Sequence, residues 1–191
     1  MQSKKIIATF ATVTIILLMM ATPAFAAGFL DITKAEVENE KKSVSFEIKT
    51  DSTIPKDGSG GLFGYGAFSD SEKFIVVTTH GGVLDSKAQH GVASNPVFHT
   101  HIVGLTSITP CESGLAITSP SFDPVGKLEV NGKSVEVSNV PINTVGKLTG
   151  PVISFTLSAE GGDICMNPHQ ILFANGEGEH QNDHDNSEHD K

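Results

Sequence analysis

The chain has 191 residues, with 13 basic and 22 acidic side chains and a formal charge of −9. All 13 basic residues are lysines. Bidentate contacts to phosphates and base edges lean on arginine, so its absence argues against nucleic acid or an anionic membrane as partner, while attraction of cations remains open. There is no tryptophan and one tyrosine, Tyr65, which leaves little aromatic platform for stacking sugars.

From the N-terminus, Lys4 and Lys5 precede an apolar run from Ile6 to Met20, and Ala24, Phe25, Ala26 and Ala27 follow. A basic segment, an apolar stretch and an Ala-x-Ala site define an export signal, with the cut expected after Ala26. An uncleaved anchor is the alternative, because residues 6–26 are just long enough to span a bilayer. Cleavage removes two lysines and no acids, leaving 165 residues at a formal charge of −11. The expected division is a signal peptide over 1–26, a β-sandwich domain over 27–174 and an acidic, His-rich tail over 175–191. The product is expected to be periplasmic or extracellular, free or associated with the cell surface.

Within 27–174, period-2 alternation is frequent and no segment keeps a helical apolar period for three turns. Phe29 to Val37 and Ser43 to Thr50 read as a hairpin around Asn39 to Lys42, with Val44, Phe46 and Ile48 on one face. Asp51 to Gly61 reads as a loop. Leu62 to Ser69 is a Gly-interrupted aromatic strand, Lys73 to His80 a β-branched one, and Val97 to Leu105, Leu115 to Ser119 and Gly126 to Val130 continue the series. Val130-Asn131-Gly132-Lys133 signals a two-residue turn of type I′, answered by Ser134 to Val140. Pro151 to Ala159 and Ile164 to Phe173 close the domain. Some nine or ten short strands with turn residues between them indicate an all-β protein, an antiparallel β-sandwich or partly closed barrel. Beyond Ala174 nothing apolar remains to bury, so the tail is expected to be disordered; its His180, His184 and His189 among acids suit loose collection of divalent cations.

Four of the eight histidines fall between His80 and His101, and the last two form a His-x-His pair, His99 and His101. On a strand, residues i and i+2 share a face, so both imidazoles can converge on one ion. His80 ends one strand, before Gly81-Gly82; His90 lies in the connection that follows; His99 and His101 lie on the returning strand. A site of His99 and His101, with His80 or His90 as third ligand, suits zinc or copper with an open position. The competing reading is a pair lying on a solvated face, or satisfied by carbonyls and by threonines such as Thr78 and Thr100. Cys111 and Cys165, an even pair in an exported chain, imply one disulfide. Spaced 54 residues apart, they would stabilise the fold by about 4 kcal/mol in the chain-entropy model. The alternative makes Cys165 a metal ligand.

Phe98-His99-Thr100-His101 followed by Cys111 resembles the copper-ligand strand and disulfide cysteine of Cu/Zn superoxide dismutases, over some fifteen residues. That resemblance implies an antiparallel β-barrel holding copper and zinc. The family takes its remaining ligands from several downstream histidines, where this chain has only His169 before the tail, and it uses an arginine that this chain lacks. Cys165-Met166-Asn167-Pro168-His169 resembles the ligand loop of plastocyanin-like cupredoxins, without the methionine that follows there. Neither likeness assigns a family. No P-loop, Gly-x-Ser-x-Gly or His-Glu-x-x-His motif occurs. Three readings follow: binding of a zinc or copper ion, a metal-dependent oxidoreductase or electron-transfer protein on the same histidines, and a metal-free cell-surface or assembly module with a protein partner the residues do not specify.

Overall fold

The computed structural model describes residues 28–56, 59–79, 98–121 and 123–174. The expected signal segment, the tail, His80 and His90 all lie outside the described residues. Ten strands are present among them: β1 (Ile32–Asn39), β2 (Ser43–Thr50), β3 (Phe63–Ser69), β4 (Phe74–Thr79), β5 (His99–Ser107), β6 (Leu115–Thr118), β7 (Lys127–Asn131), β8 (Ser134–Pro141), β9 (Leu148–Glu160) and β10 (Asp163–Phe173). The expectation of an all-β, antiparallel architecture holds.

The strands form a four-stranded sheet in the order β1-β2-β8-β7 and a closed six-stranded barrel in the order β10-β6-β5-β4-β3-β9. Alternation along each strand explains how they stack. Val44, Phe46 and Ile48 of β2, with Val135 and Val137 of β8, turn one face of the sheet inward. They pack with Phe63, Tyr65 and Ala67 of β3, Ile75 and Val77 of β4, and Ile102 of β5 in one buried cluster. The opposite faces of the barrel strands supply a second cluster: Val76, Val103, Ile153, Phe155 and Met166, with Phe68, Phe74, Leu105, Ile117 and Leu157 against it. Because that set draws on every strand of the barrel, it is the barrel interior. A six-stranded barrel is narrow enough for side chains to fill it.

Two glycines show how tightly the wall curves. Gly64 and Gly66 take the inward positions of β3, and a Cβ there would lie 2.4 Å from the Val77 carbonyl oxygen and 2.8 Å from that of Ile75. Only glycine permits so close an approach of backbone to neighbouring strand. The interruptions of the aromatic strand are therefore part of barrel closure.

The β7–β8 hairpin forms where expected, but with a different turn. Asn131 pairs with Ser134 as the last rung, so the loop residues are Gly132 and Lys133. Of the positions from Val130 to Ser134 only Gly132 has positive φ, +58°, which matches a type II′ turn and corrects the type I′ reading. The short helix α1 (Ile142–Val145) was not expected from periodicity. One turn is too brief to carry a helical pattern; the buried Val145 anchors it, and Ser69 Oγ donates to its carbonyl at 2.6 Å.

Cys111 and Cys165 are joined in a disulfide with their Cα atoms 5.4 Å apart. With Ala116 they form a small buried cluster of their own. It lies at the seam where β10 meets β6 through a single register pair, Cys165 with Ala116.

Candidate metal centre at one end of the barrel

Strand β5 carries opposite chemistry on its two faces. Phe98, Thr100 and Ile102 point toward the sheet, and Thr100 Oγ1 donates to the Val125 carbonyl at 2.6 Å while accepting from the Val125 N–H at 2.8 Å. His99, His101 and Val103 share the other face, which lines the barrel. Register sets Thr78 opposite His99 and Val76 opposite His101. Both histidines are buried, 4 % and 5 % exposed, with ring centroids 4.6 Å apart and planes at 72°. The solvated-face alternative is thereby overturned: a pair inside a closed barrel does not meet bulk water.

The orientation of His101 is fixed by its neighbours. Its Nδ1 lies 2.7 Å from the carbonyl oxygen of Ser121. Ser121 itself is clamped to β5, donating from N–H to the Ile102 carbonyl at 2.8 Å and accepting the Ile102 N–H on Oγ at 2.9 Å. A carbonyl oxygen only accepts, so Nδ1 carries the hydrogen in this contact. A backbone carbonyl on one ring nitrogen with the other as donor atom is the usual arrangement around a metal-ligating imidazole.

Two other expectations are corrected. Thr100 does not serve the histidines, since its hydroxyl is spent on Val125. Thr78, 2 % exposed, has an Oγ1 with no hydrogen-bond partner among the described residues, a condition that costs about 1–3 kcal/mol when no partner is supplied. The cupredoxin-type pairing also does not assemble. Cys165 is held in the disulfide, and His169 lies half-exposed on β10, its Nε2 in hydrogen-bond contact with Asp31 Oδ1 at 2.8 Å. It occupies a bulge between Pro168 and Gln170.

Among the described residues, no group of three or more His, Cys, Asp or Glu side chains is placed to hold a metal. The structure thus brings together His99 and His101, while His80 and His90, the candidate third donors, lie outside the described residues. Ser121 escaped the sequence reading because a backbone carbonyl leaves no mark in residue type. No protein-family model, curated protein or solved structure matches the chain.

Proposed function

We propose that this is an exported protein that binds one transition-metal ion, zinc or copper, through His99 and His101, with His80 or His90 as third donor. The observation that carries the reading is the bond from His101 Nδ1 to the Ser121 carbonyl. It places the hydrogen on Nδ1 and fixes the ring, the orientation that a carbonyl gives to a metal-ligating imidazole. Val76, Val103, Phe155 and Met166 beyond the pair would shield such an ion from bulk solvent. Binding or sequestration is the role this supports, with the acidic tail as a weak collector.

Elemental analysis and calorimetry on the purified protein test it. Wild type takes up one equivalent tightly; His99→Ala/His101→Ala loses that equivalent, and deletion of residues 175–191 retains it. Unchanged uptake by the double variant would remove the core site. N-terminal sequencing of the exported product, expected to begin at Ala27, tests the export signal. A visible spectrum and reversible reduction of the copper form would move the reading to oxidoreductase or electron-transfer chemistry.

One observation favours the metal-free assembly module. Ile171 and Phe173, 52 % and 74 % exposed, border a 560 Å³ cleft with Phe68, Phe74 and Leu105. That reading requires that chelators leave thermal stability unchanged.

A further inference from the structure

We propose that the barrel end bearing His99 and His101 also holds a small exchangeable ligand, water or a monovalent anion, with the Thr78 hydroxyl as its hydrogen-bonding partner. The inference rests on the metal-binding reading and takes it further: the ion would keep a coordination position that accepts ligands from solution, instead of being enclosed by protein donors.

Thr78 is the observation behind it. The residue is 2 % exposed, sits directly across the β4–β5 pair from His99, and leaves its Oγ1 without a partner among the described residues. Buried side-chain oxygens in that state are few in native proteins, and an ion or ligand at the site is one of the recognised reasons for them. Shape does not explain the choice of residue. Valine, its isostere, occupies positions 76 and 77 of the same strand, and strand propensity ranks the two side chains together.

The surroundings direct the hydroxyl toward a ligand. On β3 the residue paired with Thr78 is Gly64, which has no side chain to offer. A Cβ at Gly64 would lie 2.8 Å from the Thr78 methyl and 2.7 Å from the Phe155 ring. The methyl therefore faces Gly64, and the Phe155 ring closes that side. Inward positions deeper in the barrel, at Val76, Val103 and Ile153, are apolar. The polar groups His99, His101 and Thr78 are thus confined to one end. A hydroxyl both donates and accepts, so it pairs with water or with an anion. Zinc and copper held by two or three imidazoles retain a position for such a ligand.

The test uses the full chain loaded with one equivalent of Cu(II), with azide as the probe. Azide is titrated by its charge-transfer absorbance, and copper stoichiometry is measured in parallel, for wild type, Thr78→Val and Thr78→Ser. The expected result is one copper in all three, an azide dissociation constant raised about tenfold in Thr78→Val, and recovery to within about threefold in Thr78→Ser, the change one hydrogen bond makes. An azide affinity in Thr78→Val within about twofold of wild type overturns the inference and leaves the metal reading standing. So does a wild-type copper form that takes no azide. Loss of copper from Thr78→Val overturns it too, by making Thr78 part of the ion's own support. Absence of stoichiometric copper in wild type overturns the metal reading, and this inference with it.

Discussion

Tyr65 shows at the scale of one residue how a polar group is carried into a dry core. It is fully buried between barrel and sheet, and its hydroxyl donates to the Phe29 carbonyl. Burial pushes the phenol well above its ordinary value of 10.0, because the phenolate would be desolvated. The neutral phenol therefore favours the folded state fully below about pH 10, and that contribution is lost as pH rises beyond it, by up to about 1.4 kcal/mol per pH unit. Tyr65→Phe is expected to cost about 1–3 kcal/mol at neutral pH, through the orphaned Phe29 carbonyl. It is also expected to remove Tyr65's share of the alkaline decline and so make it shallower. Urea melts of both proteins from neutral pH to about pH 12 check the two effects together, and an equally steep decline in the variant would exclude Tyr65 as its source.

At the scale of the element, the exposed face of the four-stranded sheet carries an unusual row. Glu36 pairs with Glu47, Glu47 with Glu136, and Glu136 with Glu129, so one glutamate from each of four strands stands directly opposite the next. Like charges directly opposite destabilise a sheet. Lysines offset part of this: Lys34 pairs with Glu36, Lys127 with Glu129, and Lys49 lies 3.5 Å from Glu47. The Lys34 and Lys127 pairs hold the Glu36 and Glu129 carboxyls below their ordinary value. Glu136 is the member of the row with no ion pair among the described residues. Glu136→Gln is therefore expected to stabilise the protein by about 0.2–1 kcal/mol at low salt. The gain should shrink as ionic strength rises; denaturant midpoints at two salt concentrations measure it. A gain independent of salt would point to propensity instead of repulsion.

At the scale of the whole molecule, the barrel depends on how its seam is held. β9 and β10 share a long ladder from Asp163 to Phe173, whereas β6 and β10 meet through one register pair beside the disulfide. Cys111→Ser/Cys165→Ser is expected to lose about 4 kcal/mol of stability, the chain-entropy figure for a loop closed across 54 residues. The loss should be uneven. Hydrogen exchange is expected to rise first in β6, while β2 and β8, paired with each other within the separate sheet, keep their protection. Uniform loss of protection would mean that the seam is not the weak line.

The local elements were legible in the residues themselves because alternation is a local property. Val44, Phe46 and Ile48 against polar neighbours, or Asn131-Gly132 between two runs, are visible within a window of ten residues. The shared face of His99 and His101, and the even pair of cysteines, belong to the same class. What only the tertiary structure decided is which face of each strand turns inward and what meets it there. Pairing of β3 with β9 joins Phe63 to Thr156, and pairing of β6 with β10 joins Ala116 to Cys165, and no local pattern encodes such a choice. That closure places the histidine pair inside the barrel, brings the Ser121 carbonyl to one ring nitrogen and sets Thr78 against His99. Sequence alone determined that two imidazoles would lie side by side; long-range strand pairing decided that they do so in a buried enclosure, because burial is a property of what surrounds a residue and not of the residue itself.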